Sequence, residues 1–293
     1  MKQTSLVVDG NYLLFQSFYA TFRGDLDAIM RNSKGVATNA LSIFLSQLNK
    51  LIIEIQPDYL FIAFDARGKT KRHLIYEEYK SGRTKAPQEL FDQFELIKQL
   101  LTDLAINWQE QEGYEADDLI ASYCSNIPGE KVIFSRDKDL LQLINDEIVI
   151  IDKLNPATNY IKSDNFFDLF NFYPNQVIDY KALKGDPSDN LPGIKGIGEK
   201  TAIKLLEQFG TFDNIYQNIN SPLITKSIKN KLLTGQAQGQ LCYELATLNP
   251  NVPDFDTNIE HYAFKINYQN ALALLNELEL NRAKKQIANW TKL

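Results

Sequence analysis

The sequence predicts an α/β fold with a mostly parallel central sheet flanked by helices, and three observations support this. Apolar runs typical of buried strands alternate with helical periodicity between residues 5 and 152. Several of these runs end in an aspartate, and sites in open α/β sheets lie outside the carboxyl ends of strands. From about residue 160 the pattern becomes almost wholly helical. We therefore expect residues 1–160 to form an α/β core and residues 161–293 a helical region packed on it.

Four apolar runs supply the predicted strands. "SLVVDG" (5–10) indicates a buried strand followed by a turn, and "YLFIAFD" (59–65) a second buried strand. "KVIFSRDKDLLQLI" (131–144) predicts a strand, an acidic turn and a helix, and "EIVIID" (147–152) predicts a further strand. The aspartates that follow the first three strands are expected to converge at one edge of the sheet.

Helical patterns separate these strands. Leu and Ile recur at helical spacing over residues 36–56, where Pro57 ends the pattern, and residues 87–104 and 114–124 predict two further helices. A basic window, residues 66–85, contains seven Lys or Arg against two Glu. Because it has few apolar positions, we expect it to be mobile or only partly helical.

Composition and cysteine content restrict the class of protein. The 293 residues are 44% hydrophobic and 23% charged, which is ordinary globular composition. No run of about 18 apolar residues predicts a transmembrane helix, and the N-terminus has no signal-peptide pattern. The two cysteines, Cys124 and Cys242, lie far apart, which favours structural thiols in a reducing compartment. We expect a cytoplasmic protein with no membrane partner.

Nine carboxylates lie at turns or helix starts beside the apolar strands. One acid at such a position is ordinary turn or N-cap chemistry. Three acids within "EADD", and the pairs in "DKD" and "DPSD", exceed what capping can use. Like charges gathered at one edge of a sheet would need neutralisation. The nine are Asp9, Asp65, Glu115, Asp117, Asp118, Asp137, Asp139, Asp186 and Asp189.

This set predicts hard divalent cations. Mg²⁺ and Mn²⁺ prefer oxygen ligands, whereas zinc sites use Cys and His clusters that the sequence does not offer. So many carboxylates favour two ions, which at about 4 Å separation hold the attacking and leaving oxygens of a phosphoryl displacement. The net charge of −6 alone argues against a nucleic-acid partner. Of 37 acidic residues, however, these nine leave 28 against 31 basic residues, so the acidity is concentrated in the predicted metal site.

The run "GIKGIG" (193–198) predicts an anion site. It precedes "EKTAIKLLEQFG", a helix candidate ending at Gly210, and a helix N-terminus with free N–H groups binds phosphate. Lys195, Lys200 and Lys204 add positive charge. Such contacts hold a phosphodiester backbone rather than bases. The alternative is a Gly-rich loop between packed helices; neither a dinucleotide fingerprint nor a Walker motif fits the run.

Six motifs, in order, resemble the 5′-nuclease domain of bacterial DNA polymerase I, part of the flap endonuclease family. They are "VDGNYLLFQSFYA", "FDARGKTKRH", "YKSGR", "GYEADD", "SRDKD" and "KGDPSDNLPGIKGIGEKTA". The resemblance covers roughly residues 5–285. It implies a PIN-like 5′-nuclease fold, a helical arch at about residues 66–90 and a C-terminal helix–three-turn–helix subdomain. That subdomain contains the helix–hairpin–helix, at about residues 183–210.

The resemblance also implies roles for individual residues. The ligands of one metal, here called the first set, are Asp9, Asp65, Glu115 and Asp117, with Asp118 acting through water. The ligands of the other metal, the second set, are Asp137, Asp139, Asp186 and Asp189. In the arch, Lys80 and Arg83 would contact the scissile phosphate, Arg72 would stabilise transition-state charge, and Tyr79 would stack on a base. The residues that would hold duplex backbone, together with a K⁺ ion, are Gly193, Lys195, Gly196, Gly198, Lys200 and Thr201.

The implied enzyme is a metal-dependent 5′→3′ exonuclease and structure-specific flap endonuclease that hydrolyses phosphodiester bonds near DNA 5′ ends. Its cofactors would be two Mg²⁺ ions, with Mn²⁺ as a substitute. Its substrates would be DNA with a 5′ flap, nick or 5′ end, RNA-primed strands included, in replication and repair. The end of the sequence at Leu293, with no proofreading or polymerase region, favours a free-standing nuclease. We also expect the protein to be a monomer and to act at the bacterial nucleoid.

One departure and two alternatives accompany this interpretation. Relatives often carry Arg seven residues after the first aspartate, whereas this chain has Gln16, so one phosphate contact is expected to be missing. A non-catalytic, structure-specific DNA-binding protein is disfavoured because all nine acids are present. An aspartyl phosphatase would need a phospho-enzyme intermediate and would leave "GIKGIG" without a role. His73 is expected to be a surface or phosphate contact rather than a general base.

Overall fold

The computed structural model describes residues 3–154 and 160–292, and a six-stranded sheet lies at the centre of the described chain. Its strands are β1 (Thr4–Asp9), β2 (Tyr59–Ala63), β3 (Asn107–Gln109), β4 (Glu130–Phe134), β5 (Ile148–Ile151) and β6 (Tyr160–Ile161). The order across the sheet is β3-β2-β1-β4-β5-β6. All neighbouring pairs are parallel except β5 and β6. The predicted α/β class with a mostly parallel sheet is confirmed.

Helices follow most strands, and a helical region follows the sheet. They are α1 (Gly10–Tyr19), α2 (Asn39–Ile55), α3 (Lys71–Ile75), α4 (Gln88–Asp103), α5 (Ala116–Asn126), α6 (Ser163–Phe170), α7 (Val177–Lys184), α8 (Glu199–Phe209), α9 (Phe212–Gln217), α10 (Lys226–Ala246), α11 (Tyr268–Glu277) and α12 (Asn281–Trp290). The three helices predicted before residue 130 are confirmed as α2, α4 and α5. None of the helices in the described part is long and apolar enough to cross a membrane.

One short helix agrees with the sequence prediction, and two short strands were absent from it. The basic window forms one five-residue helix, α3, followed by turns, which agrees with partial helicity. Strands β3 and β6 were not predicted, because three and two residues are too few for an alternation pattern. They extend the sheet at its two edges.

The side chains of β1 alternate between two apolar layers, one on each face of the sheet. Leu6 and Val8 point into a cluster shared with α1, α2, α4, α11 and α12. Val7 points into the opposite cluster, which contains α5 and the stacked rings of Phe61 and Tyr123, whose centroids are 5.1 Å apart. Helices on both faces bury the whole of β1 except its first residue, as expected for a parallel sheet.

The helical region has an apolar cluster of its own. Leu183, Ile194, Leu206 and Phe212 join α7, α8 and α9 in that cluster. The last two helices, α11 and α12, instead return to the first layer beside α2 and α4. The predicted domain boundary adjoins residues 155–159, which lie outside the described residues. We keep the division into residues 1–160 and 161–293 as a proposal, with α11 and α12 packed on the core.

Candidate metal-ion and nucleic-acid site

Parallel strands carry three of the predicted acids to the same edge of the sheet. β1 ends at Asp9, which lies opposite Ala63 of β2, and Asp65 follows two residues later. Asp137 follows the end of the neighbouring strand β4. These three carboxylates line one cavity of about 590 Å³ together with Asp117. The predicted convergence of the strand-end aspartates is therefore confirmed.

Asp9 is held in place by the structure around it. Its Oδ1 accepts the N–H of Tyr12, which makes Asp9 the N-cap of α1, and its Oδ2 accepts the hydroxyl of Ser135 at 2.7 Å. The next residue must be small, because a Cβ on Gly10 would lie 2.4 Å from the ring of Phe64. The Asp9 carboxylate thus caps α1 and also lies where a metal ligand is expected.

Asp65 is held by Asn11 from the first turn of α1. Asn11 Nδ2 donates to Asp65 Oδ2 at 2.7 Å, and the N–H of Asp65 donates back to Asn11 Oδ1. The other carboxylate oxygen accepts the N–H of Ala116, the first residue of α5. The sequence analysis did not single out Asn11. Its position two residues after Asp9, in "VDGN", was the available signal.

The first turn of α5 brings three acids into the interior. Glu115 is the N-cap, and Glu115, Asp117 and Asp118 are all buried. Glu115 Oε2 accepts from Lys80 Nζ at 3.0 Å and from the hydroxyl of Tyr79 at 3.1 Å. Carboxylates near a helix N-terminus are stabilised by its unpaired N–H groups.

Asp118 does not face the cavity with the other acids. Both of its oxygens bind the guanidinium of Arg72, at 2.7 and 2.8 Å, and they also accept the N–H groups of Glu115 and Asn249. Arg72 is itself buried and donates to the carbonyl of Leu245. The structure thus places this pair as an internal salt bridge. That differs from a water-mediated metal contact for Asp118 and from a DNA contact for Arg72.

The two predicted metal sets meet at Asp117. One carboxylate oxygen each from Asp117, Asp137 and Asp139 lies within 4.8 Å of the other two. Burial raises the pKa of Asp117 well above its usual value, and the charges of Asp137 and Asp9 raise it further. Burial likewise raises the pKa of Asp9 to about 7 and raises the pKa of Asp137. Such a cluster stays ionised only when a cation neutralises it.

The last two acids of the second set belong to a short 3₁₀ turn, Pro187–Asp189: Asp189 is its last residue and Asp186 is its N-cap. Asp189 is buried, and its Oδ1 accepts from Arg83 Nη2 at 2.9 Å. Asp186 Oδ2 accepts from Lys181 Nζ at 2.7 Å, and the same ammonium contacts Asp139. Burial alone would raise the pKa of Asp186, but Lys181 and Ser188 lower it to about 2. The sequence analysis overlooked Lys181, because no motif distinguishes it from other helical lysines.

The arch segment, residues 66–90, is folded down against the acids. The N–H of Lys80 donates to the carbonyl of Asp189, and Lys80 has a φ of 55°, an unusual conformation for a non-glycine residue. Burial would lower the pKa of Lys80, but Glu115 and Asp189 raise it, so its ammonium stays charged. Strained residues held by their surroundings often occur at functional sites.

Tyr79 differs from its expected role. Only 2% of the residue is exposed, and its hydroxyl donates to Glu115 and Asp189. Burial, together with those two carboxylates, raises the pKa of Tyr79, so its phenol remains a donor. In this conformation the ring is not accessible to a base, and base stacking by Tyr79 stays a prediction.

Cations and aromatic rings complete the cavity. Five cations also line it, and four aromatic side chains lie at its wall. The cations are Arg67, Lys80, Arg83, Lys98 and Arg136. The aromatic residues are Tyr12, Phe15, Phe91 and Phe94. The expected role of Gln16 as a missing phosphate contact stays a prediction; its amide donates to the hydroxyl of Tyr12. Arg136, next to Asp137, was not singled out from the sequence, although it adds a positive charge to the cavity wall.

The donor set fits hard divalent ions. Every donor is a carboxylate oxygen, and no basic side chain in residues 3–154 and 160–292 forms a salt bridge with Asp117 or Asp137. Burial is the main cause that raises the pKa of each of Asp9, Asp117 and Asp137, and neighbouring carboxylates add to it, so a bound cation would favour their ionised forms. Asp9, Asp65, Asp117 and Asp137 are therefore the cavity side chains that could hold such ions.

The hairpin, residues 193–198, leads into α8 as predicted. Gly198 is the N-cap of α8, which begins at Glu199 and ends at Phe209, one residue before Gly210. Lys195, Gly196 and Lys200 are exposed at this helix start. Lys231 of α10, which the sequence analysis missed, donates to the carbonyl of Gly196 at 3.0 Å.

Gly193 differs from the expected backbone contact. It is buried, its N–H donates to Cys242 Sγ, and a Cβ there would lie 2.2 Å from the nitrogen of Gly185. Its φ of 62° also favours glycine. Gly193 therefore allows the hairpin to pack closely on the end of α7, while the exposed positions of the hairpin remain available for a ligand.

Two family models match consecutive parts of the chain. The model of the 5′-3′ exonuclease N-terminal, resolvase-like domain matches residues 4–171, and that of the 5′-3′ exonuclease C-terminal SAM fold matches residues 172–270. The chain belongs to the 5′-3′ exonuclease family. The boundary between the two models lies between α6 and α7. The chain is thus a nuclease of the hydrolase class, as its motifs predicted.

Individual relatives agree with this assignment. A 5′-3′ exonuclease of Mycoplasmopsis pulmonis is 40% identical over 265 residues, which are 89% of this chain and 86% of the relative. DNA polymerase I of Bacillus subtilis is 35% identical over 96% of this chain, but the chain spans only 32% of that relative's length. Among solved structures, the chain is similar to a bacteriophage T5 flap endonuclease in a pseudo-enzyme-product complex with DNA and metal ions. That likeness has a TM-score of 0.64 and 21% identity over 99% of this chain and all of the other.

Proposed function

We propose that this 5′-3′ exonuclease family member cuts phosphodiester bonds near DNA 5′ ends, both as a 5′→3′ exonuclease and as a structure-specific flap endonuclease. The observation that carries the proposal is the cavity that is lined both by the carboxylates Asp9, Asp65, Asp117 and Asp137 and by Lys80 and other cations. Hydrolysis of a phosphodiester uses carboxylates that bind metal ions and cationic side chains that bind phosphate, and this cavity has both.

We infer that the cofactors are two Mg²⁺ ions, which Mn²⁺ could replace. When bound, such ions supply a water of lowered pKa and stabilise the leaving oxygen. Asp9, Asp65 and Asp117 would hold them at the cavity, and Asp137 and Asp139 would join from the second set. No protein nucleophile is needed, because the attacking group is water.

Within this proposal, the chain's own cations act on the substrate. Lys80 and Arg83 lie at the cavity wall, and Arg83 is half exposed, with 51% of its side chain accessible. A phosphate that enters the cavity would draw these cations away from Glu115 and Asp189. The cations would then stabilise the negative charge that develops on the phosphate in the transition state. The exposed hairpin cations Lys195 and Lys200, beside the N-terminus of α8, would hold the duplex backbone without reading sequence.

The wider context is also part of the proposal. We infer that the substrates include RNA-primed 5′ ends at replication and repair sites, and that the protein acts as a monomer at the nucleoid in the cytoplasm. A K⁺ ion at the hairpin is proposed on the family resemblance. The Gly196 carbonyl already accepts from the ammonium of Lys231, so a K⁺ ion would have to share this loop with Lys231.

A cleavage assay tests the central proposal. We expect a 5′-labelled flap duplex to be cut with Mg²⁺ or Mn²⁺ and to remain intact in EDTA. Blunt duplex without a flap, and a duplex with a 3′ flap, serve as substrate controls. Tight binding without cleavage in either metal would favour the non-catalytic DNA-binding alternative and would exclude the nuclease.

A further inference from the structure

Lys181 is a buried cation at the centre of the second metal set. It projects from α7, 6% of its side chain is exposed, and its ammonium contacts both Asp139 and Asp186. Asp139 begins a 3₁₀ turn after β4, whereas Asp186 follows α7. One lysine therefore joins acids from two distant parts of the chain that are both expected to bind the same metal.

Both sets contain acids that are paired with a cation and acids that are not. In the first set, Glu115 forms salt bridges with Lys80 and Arg72. In the second set, Lys181 pairs with Asp139 and Asp186, and Arg83 pairs with Asp189. Asp117 and Asp137, by contrast, line the open cavity without a salt bridge from any described residue. One group of acids thus faces the cavity ready for ions, while the other is already neutralised internally.

An ammonium and a divalent ion compete for the same carboxylate oxygens. Lysine has three N–H donors and no acceptor, so it cannot act as a metal ligand and can only occupy the oxygens itself. Asp139 is buried and Asp186 is half-buried, so separating this pair of carboxylates from their shared ammonium is costly unless another cation takes its place. Lysine suits an exchange of this kind, because its charge lies on a flexible four-carbon stem.

We propose that Lys181 is a tethered counter-ion that occupies Asp139 and Asp186 until a second divalent ion displaces it. Lys181 thereby keeps the metal-free protein folded and lowers its affinity for the second ion. The inference rests on the proposed two-ion function, but it concerns metal binding in the absence of DNA. An ion that binds Asp117 and Asp137 has no paired cation to displace from them, whereas an ion that binds Asp139 and Asp186 must displace Lys181.

The test is metal binding to DNA-free Lys181→Met, which keeps most of the length of the side chain and removes its charge. In Mn²⁺ calorimetry we expect two ions to bind, with the dissociation constant of the second lowered about tenfold, within the usual range of coupling between two sites. Lys184→Met is the matched control, since Lys184 lies on the same helix but pairs with the exposed Glu199. It should bind like wild type, as should Lys181→Arg, which keeps the charge.

Stability supplies an independent measurement. Without metal, Lys181→Met should melt well below wild type, because Asp139 and Asp186 are left without their cation. Saturating Mn²⁺ should remove most of that difference, whereas a lysine with a purely structural role would leave the same deficit with metal. An unchanged or weaker second binding step, or a deficit that persists in metal, would overturn the proposal.

Wild-type protein provides a measurement that does not depend on folding of the variant. Amine acetylation followed by mass spectrometry should label Lys181 slowly in EDTA and faster in saturating Mg²⁺, while labelling of Lys184 stays constant. Labelling of Lys181 that is unaffected or slowed by Mg²⁺ would contradict the exchange. If Lys181→Met cleaves flaps and binds metal like wild type, this inference is rejected. The proposed nuclease function would not be affected by that result.

Discussion

Arg72 and Asp118 form a bidentate salt bridge beneath the acidic site, with N–O distances of 2.7 and 2.8 Å. Arg72 also donates to the carbonyls of Leu245 and Thr247, and Asp118 accepts the N–H of Asn249. The pair therefore connects α3 and α5 to the last turn of α10 and to the segment that follows it. In the sequence, Arg72 resembles a substrate contact and Asp118 a metal contact. In the structure, this pair stabilises the packing of three separate segments.

We expect Arg72→Met to destabilise the protein by about 3–5 kcal/mol, because it leaves Asp118 buried without its partner. Urea unfolding measures the change. Arg67→Met is the control, since its salt bridge with Glu95 is exposed and worth at most about 1 kcal/mol. If Arg72→Met has wild-type stability but fails to cleave DNA, Arg72 stabilises the charge of the transition state instead of the fold.

Asp117→Asn should separate activity from stability. We expect cleavage to fall about 10²–10³-fold, because a ligand of an ion that lowers the barrier by several kcal/mol is lost. In EDTA at mildly alkaline pH, the melting temperature should rise, because burial and the charges of Asp137 and Asp9 disfavour ionised Asp117. The control is Asp168→Asn, at an exposed position of α6. Wild-type cleavage would show that Asp117 binds no catalytic ion.

The pKa of Asp9 predicts how pH affects the metal-free protein. Burial raises this pKa from 3.8 to about 7, against hydrogen bonds from Tyr12 and Ser135 that lower it. The folded state therefore holds a proton that the unfolded state has released, and the resulting stability is full below 3.8 and lost as pH rises through about 7.

We accordingly expect the rise in melting temperature on adding Mg²⁺ to be larger above pH 7 than below it, because the ion then replaces a missing proton. Differential scanning fluorimetry in EDTA and in Mg²⁺ measures the difference. Asp9→Asn should reduce this pH dependence. If Mg²⁺ raised the melting temperature equally above and below pH 7, the raised pKa of Asp9 would be contradicted.

Lys80→Met should slow the chemical step more than it weakens binding. Its ammonium lies in the cavity within reach of Glu115, and loss of one preorganised charge costs about 10²–10³-fold in rate. Single-turnover cleavage gives the rate, and fluorescence anisotropy in Ca²⁺ gives the affinity. The control is Lys85→Met, an exposed residue of the same segment. A loss confined to affinity would assign Lys80 a positioning role only.

The hairpin lysines predict a salt effect. Lys195→Ala and Lys200→Ala should each weaken duplex binding for all sequences and reduce the slope of log K against log salt by about one. Lys50→Ala, on α2, is the control for loss of an exposed positive charge. If the slope stays at its wild-type value in both hairpin variants, the backbone is held elsewhere.

Much of the site was predictable because short segments determine it. Asp9, Asp65 and Asp137 converge because each follows a parallel strand, and a parallel sheet brings those ends together. The helix after "GIKGIG" was predictable from its Gly and its apolar spacing. The bounds of α2, α4 and α5 agree closely with the periodicity of the sequence.

What could not be predicted depends on contacts between distant segments. Nothing near Lys181 shows that its ammonium lies between Asp139 and Asp186, since this requires α7 to pack beside the turn after β4. The burial of Tyr79 depends likewise on the turn at Asp189. The sequence analysis assigned functions to residues because they match a motif. Packing between distant segments decides which of those residues are accessible.

The turn between Asp186 and Leu191 is closed by two backbone hydrogen bonds, each of 2.8 Å, between these residues. Within it, Asp189 binds Arg83 and Tyr79 by its side chain and Lys80 by its carbonyl, and two residues after Leu191 the chain packs against Gly185. An insertion or deletion here would shift every one of these contacts together. This six-residue turn therefore has far less freedom to change in length than the loops around it.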